Sequence, residues 1–185
     1  MNGKHQIQRS LEISATPEAV WAILEDSTRL PEWAAVVEEV TCRVPGREAV
    51  GSVRECRVDF AGRTGTIVER CVELIPKTKV AYVVDDDSLG FNKLFADYGF
   101  TITLEDSGLR RTTARMDTYY TPRNIVSAAM NSVLMRRKFA VTVDGLLQGL
   151  QRLAEEHASA NRLAGTPSPP ETNPSGDVTL GAARS

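Results

Sequence analysis

Residues 123–157 read RNIVSAAMNSVLMRRKFAVTVDGLLQGLQRLAEEH, and the reading of this stretch decides the fold. Ile125, Ala129, Val133, Phe139, Val143, Leu147, Leu150 and Ala154 recur at helical spacing, and Leu146 and Leu153 widen the stripe. A single helix of this length would run about 50 Å at 1.5 Å rise per residue. Such a helix must bury one face along most of its length, so it needs a large partner. Gly145 and Gly149 fall inside it. Each costs about 1 kcal/mol against alanine in a helix interior, which points to a close contact or a bend.

The partner lies upstream. Residues 36–44, 51–61, 64–74, 80–85, 95–104 and 112–120 form about six strand-like runs with no convincing helix between them. Pro45-Gly46, Gly62-Arg63, Pro76 and Asp106-Ser107-Gly108 supply the breaks. The runs are too close in sequence for crossover helices, so the sheet is expected to be mostly antiparallel. An earlier strand, residues 7–13, alternates Leu11 and Ile13 with Ser10 and Glu12. Thr16-Pro17-Glu18 then starts a helix, with Thr16 as N-cap, Pro17 at the first position and Glu18 at the positive end of the dipole. Asp26-Ser27-Thr28 breaks it, and a second short helix leads to Pro31-Glu32-Trp33. The order is strand, helix pair, strands, long helix, an α+β chain. A sheet that curls around a helix without fully touching it leaves an interior space, suited to an apolar small molecule.

The 185 residues suit one domain, 4–157, followed by a disordered tail, 158–185. The tail is rich in Ser, Thr, Pro, Gly, Ala and Asn, and too poor in large apolar residues to offset the entropy of ordering it. A net charge of −2 gives no pull toward nucleic acid. No apolar run is long enough to span a bilayer, and no secretory signal is visible. Three cysteines, Cys42, Cys56 and Cys71, fall in strands; their odd number favours reduced thiols and a cytoplasmic location over a Cys56–Cys71 bridge.

Thr16-Pro17-Glu18-Ala19-Val20-Trp21, Leu30-Pro31-Glu32-Trp33, Val50-Gly51-Ser52 and the segments 134–139 and 146–155 resemble the SRPBCC superfamily. The branch they are most similar to is that of the polyketide cyclase/dehydrase and lipid-transport proteins, which share a fold with START domains and the major birch pollen allergen. The resemblance covers residues 4–157. It implies the helix-grip fold: a seven-stranded antiparallel curved sheet around a long C-terminal helix, two short helices after the first strand, and a cavity between. It implies no single reaction, since members include ligand carriers, cyclases, quinone-binding proteins and chaperone cofactors.

Strand alternation selects the inward side chains. Arg54, Cys56, Val58 and Phe60 share one face; so do Val80, Tyr82 and Val84; so do Tyr98, Phe100, Ile102 and Leu104; so do Ala114, Met116, Thr118 and Tyr120. Phe139 and Val143 look down from the helix, and Trp33 stands near a cavity mouth. The candidate ligand contacts are therefore Trp33, Arg54, Val58, Phe60, Tyr82, Tyr98, Phe100, Met116, Tyr120, Phe139 and Val143. An inward Arg54 needs a protein carboxylate or a ligand anion, unless it lies near the strand end and reaches water. The tyrosines are plain core on sequence grounds; the resemblance implies that some of their hydroxyls face a cavity.

His5 and His157 lie at the two ends of the domain, which leaves no material for a histidine triad or a histidine-ligated zinc. No metal site, nucleotide loop or other cofactor motif is expected. Arg136-Arg137-Lys138 reads as a solvated face or as a transient contact with a phospholipid surface or an acidic carrier protein. Three readings follow, the last of them a protein-interaction domain with a filled core. The first is binding or transport of a lipid, quinone or polyketide-like molecule. The second is polyketide-type cyclisation or dehydration in the same cavity, with Arg54 stabilising an enolate and Tyr82 or Tyr98 relaying a proton.

Overall fold

Thr16 caps the first helix as its sequence predicts: its Oγ1 accepts from the Ala19 amide at 3.4 Å, and Pro17 takes the first helical position. The computed structural model describes residues 2–43 and 47–164. β1 (His5–Ile13) leads into α1 (Pro17–Leu24), a 3₁₀ turn (Ser27–Arg29) and α2 (Leu30–Trp33). Six strands follow: β2 (Val37–Cys42), β3 (Val53–Phe60), β4 (Arg63–Ile75), β5 (Lys79–Asp87), β6 (Phe95–Gly108) and β7 (Arg111–Pro122). They pair antiparallel in the order β1-β7-β6-β5-β4-β3-β2. This is the seven-stranded helix-grip sheet, with the long C-terminal helix packed against β1, β7, α1 and α2.

Two hairpin turns sit away from their expected positions. The β3–β4 turn is Ala61-Gly62, with φ of 55° and 81°, rather than Gly62-Arg63. The β6–β7 turn is Leu109-Arg110, with φ of 50° and 60°. Two left-handed residues in a two-residue loop match the twist of the flanking strands. The sequence Asp85-Asp86-Asp87-Ser88-Leu89-Gly90 reads as a loop, and the loop is shorter than that. Asp85 to Asp87 end β5, and Asp87 accepts from the amides of Phe91 and Asn92, both at 2.7 Å. That carboxylate starts a one-turn helix, α3 (Phe91–Leu94), directly after the remaining loop, 88–90. The expected Pro45-Gly46 break lies outside the described residues.

The C-terminal helix is not one regular rod. α4 (Ile125–Met130) passes through a π turn (Asn131–Met135) into α5 (Arg136–Ala164). The buried stripe is Ser127, Asn131, Met135, Phe139, Val143, Leu147, Leu150, Ala154 and Ala158. Ile125 and Val133, placed in the stripe by sequence spacing, are 88% and 81% exposed. The reason is phase. Val133 and Phe139 are six residues apart, which on a regular helix places them about 120° from alignment. Helix α5 also continues to Ala164, beyond the expected end at His157; the rest of the expected tail, 165–185, lies outside the described residues.

Gly149 explains how the helix seats. A Cβ there would fall 1.8 Å from the Trp33 carbonyl oxygen, so only glycine lets α5 approach the end of α2. At Gly145 a Cβ meets nothing within 4 Å, and no packing reason for that glycine is visible.

Candidate functional site: a cavity between the sheet and the long helix

The inner faces of β3, β4, β6 and β7 and the undersides of α2, α3 and α5 enclose a cavity of about 100 Å³. Its walls are mainly apolar. Of the expected contacts, Trp33, Arg54, Val58, Phe60, Tyr98, Phe100, Met116, Phe139 and Val143 line it. Aromatic rings dominate one side: Phe60, Phe91 and Phe139 meet at centroid distances of 5.1 to 5.3 Å, and Tyr98 stands 5.5 Å from Phe139. These separations suit edge and tilted contacts.

Tyr82 and Tyr120 do not line the cavity, contrary to expectation. Both are inward on their strands and fully buried, but each is covered by another part of the chain. The Tyr82 hydroxyl donates to Glu48 Oε2 at 2.8 Å, beneath the segment that joins β2 to β3. The Tyr120 hydroxyl donates to Asn131 Oδ1 at 2.8 Å, beneath the π turn. Burial pushes the Tyr120 phenol up to about 12, and burial likewise raises that of Tyr82. The Tyr82 hydroxyl is spent on Glu48 and does not face the cavity, so Tyr82 is not placed to hand a proton directly to a molecule bound there.

Arg54 is the polar pole of the site. It is 6% exposed and points inward, as alternation requires. Its partners are protein carboxylates. Nε donates to Glu69 Oε2 at 2.8 Å, Nη1 donates to Ser27 Oγ at 3.0 Å, and Glu48 Oε2 lies 4.0 Å away. The guanidinium carbon sits 3.9 Å above the Tyr82 ring, a cation–π contact. Burial works against its charge, but Tyr82 and Glu69 beside it more than offset that, and its pKa is raised. Glu48 in turn accepts hydrogen bonds from Ser27, Ser52 and Tyr82. Burial alone would raise the Glu48 carboxyl; these donors and the Arg54 charge outweigh it and hold the pKa below the usual carboxylate value. The cluster therefore carries one cation against two carboxylates.

Strand alternation alone does not single out Glu69. It pairs directly with Arg54 across β3 and β4, shares its strand face with Ile67 and Cys71, and lines the cavity. A hairpin turn placed at Gly62-Arg63 sets Cys71 opposite Arg54; the observed turn at Ala61-Gly62 sets Glu69 there. Phe91 escapes the sequence reading because its one-turn helix reads as loop.

Tyr98 and Thr118 are two further polar residues of the cavity wall. Tyr98 is half-buried, and its hydroxyl has no hydrogen-bond partner among the described residues. Its phenol is pushed up first by burial and then by the Glu69 charge. Thr118 is 2% exposed, and its Oγ1 is buried without a partner. Thr118→Val is isosteric and removes that orphaned hydroxyl, so stability is expected to rise by about 1 kcal/mol in urea unfolding. A loss of stability would show that the hydroxyl is satisfied.

The cysteines are free, with Cys56 and Cys71 buried. Burial raises both thiols, Cys71 to about 11, which makes them poor nucleophiles at neutral pH. Among the described residues, no group of His, Cys, Asp and Glu side chains is placed to hold a metal ion.

Residues 4–155 match the family model described as polyketide cyclase / dehydrase and lipid transport. The chain belongs to this family. Among solved structures of the same fold, a START superfamily protein from Mycobacterium smegmatis is 14% identical, with a TM-score of 0.67 over 83% of this chain and 99% of that one. The Zhui aromatase/cyclase from Streptomyces sp. R1128 is 18% identical, with a TM-score of 0.68 over 88% and 98%. A Thermus thermophilus protein is 18% identical, with a TM-score of 0.66 over 83% and 98%. No protein of curated function matches the sequence. The family places the cavity in context: its description spans both cyclisation and lipid carriage. No described helix is long and apolar enough to cross a membrane.

Proposed function

We propose that this domain binds and carries a hydrophobic or amphipathic small molecule, of lipid, quinone or polyketide-like character, between its sheet and its long helix. The observation that carries this reading is the apolar, aromatic-walled cavity itself. Burying a ligand there gains about 25 cal/mol per Å² of apolar surface before ordering costs. The present volume of about 100 Å³ suits a molecule near the size of a single ring. Ligand sites for larger molecules run to roughly 300 Å³ and above. A lipid or polyketide therefore requires the walls to part, and the one-turn helices α2 and α3 are the shortest wall elements. Native mass spectrometry tests the reading. The protein is expected to retain, or after solvent extraction to rebind, an apolar adduct. Protein that neither carries nor rebinds one would count against carriage.

The second reading is cyclisation or dehydration of a poly-β-ketone in the same space. It is supported by the family description and by a carboxylate, Glu69, and a phenol, Tyr98, at the cavity wall. Arg54 is engaged by two carboxylates, which weakens its proposed role toward an enolate. Without histidine in the cavity the acid–base repertoire is narrow, so carriage is ranked first.

The proposed partner surface is an anionic phospholipid bilayer. The start of the C-terminal helix exposes Ile125, Val126, Val133, Leu134 and Val141 beside Arg136, Arg137 and Lys138. Apolar side chains next to cations suit the acyl–headgroup boundary of such a surface. Phe60 and Thr142 line both the cavity and the surface groove that holds Leu134, Arg137, Lys138 and Val141, so a ligand leaving the cavity would emerge at this patch. The protein is expected to co-sediment with phosphatidylglycerol-containing vesicles and less with pure phosphatidylcholine. Val133→Asp is expected to abolish sedimentation; unchanged sedimentation would remove the patch from the account. The free thiols suit the proposed cytoplasmic location.

A further inference from the structure

We infer, resting on the ligand-binding reading above, that the cavity selects a ring-bearing molecule with a hydrogen-bond donor, a hydroxyl or an amine, and rejects carboxylates. An inward arginine in an apolar cavity suggests the opposite, a grip on an anion. The geometry removes that option. Arg54 directs its charge to Glu69 at 2.8 Å and Glu48 at 4.0 Å, and a further donor to Ser27 at 3.0 Å. Two carboxylates against one guanidinium leave the polar end one negative charge in excess. An incoming carboxylate would meet that excess in a poorly solvated space, where like charges interact strongly.

Glu69 holds the remaining acceptor capacity. Its Oε2 accepts from Arg54, while its Oε1 has no hydrogen-bond partner among the described residues, and the side chain is 12% exposed at the cavity wall. An ionised carboxylate only accepts, so the group that completes it must donate. Thr118 is the independent second observation. Its hydroxyl is buried at the wall, on β7, with no partner. Buried polar groups in native structures are almost always paired, by protein, water or ligand. A ligand hydroxyl or amine that donates to Glu69 satisfies that carboxylate; pairing Thr118 as well requires the wall to shift, since its hydroxyl oxygen has no free surface in the present cavity. The surrounding Phe60, Phe91, Phe100 and Phe139 rings favour a flat apolar body, and their faces favour a cation over an anion.

The test uses four probes with one ring each: toluene, phenol, benzylamine and benzoate, titrated into the full chain by amide chemical-shift NMR. Phenol and benzylamine are expected to bind roughly tenfold or more tightly than toluene, with no binding of benzoate, since a charge-assisted hydrogen bond is worth about that factor. Glu69→Gln is expected to erase the preference for benzylamine over toluene, read as the ratio of the two affinities in that variant. Benzoate binding as tightly as phenol, or toluene binding as tightly as both, would overturn this inference and leave the cavity reading standing. Binding of none of the four would overturn the cavity reading, and this inference with it. The wild-type ranking alone decides between these results, whatever the variant's stability.

Discussion

Replacing Gly149 by alanine is expected to destabilise the fold by about 3 kcal/mol, while Gly145→Ala, four residues earlier on the same helix, stabilises it by about 1 kcal/mol. The two glycines look alike in the sequence. They differ in what a methyl group would meet. At Gly149 it would fall 1.8 Å from the Trp33 carbonyl oxygen, and the nearest atoms are backbone, which cannot rotate away. Helix α5 would have to lift off the end of α2. Trp33 lines the cavity, so that shift should also disturb ligand binding. At Gly145 the space is open, and alanine only removes the helix-propensity cost of glycine. Urea unfolding of the two variants checks the contrast. Equal effects of the same sign would show that α5 does not seat on α2 as described.

Replacing Arg54 by methionine is expected to cost about 3–5 kcal/mol at pH 7, because it leaves buried carboxylates without their counter-charge. The pH dependence distinguishes this cause from lost packing. In the wild-type protein the Glu48 pKa is lowered, so its stabilising contribution is present above the unfolded value of about 4.3 and is lost as the pH falls through the folded value. In the variant the unpaired carboxyls should have raised pKa values. The folded state then binds more protons than the unfolded state, and stability falls as the pH rises through the folded values. The variant should therefore recover much of its deficit near pH 5, while the wild type gains nothing from that acidification. Parallel stability–pH curves for the two proteins would contradict the ion cluster.

Much of this architecture is legible in the chain because its signals are local. Thr16-Pro17 caps α1 wherever the rest goes, and period-two alternation assigns an inner face to Arg54, Val58, Phe100 and Met116 without knowledge of their neighbours. Alternation gives a face but not a position along it. Tyr82 and Tyr120 are inward as expected, yet the Glu48 segment and the π turn cover them, and neither cover is encoded near those tyrosines. The partner of Arg54 depends on register. Moving the β3–β4 turn by one residue exchanges Cys71 for Glu69, and with it an apolar neighbour for a carboxylate. The reversal of ligand preference follows from that exchange. The phase break between Val133 and Phe139 is present in the sequence as a six-residue step, and it is what turns Ile125 and Val133 to the outside.

Intermolecular nuclear Overhauser contacts to a bound ring probe show whether an apolar ligand enters the space between sheet and helix. With phenol present, contacts are expected to the methyl groups of Val58, Met116 and Val143, which line the cavity. Contacts confined to the exposed Val126 and Val133, or none at all, would contradict ligand entry.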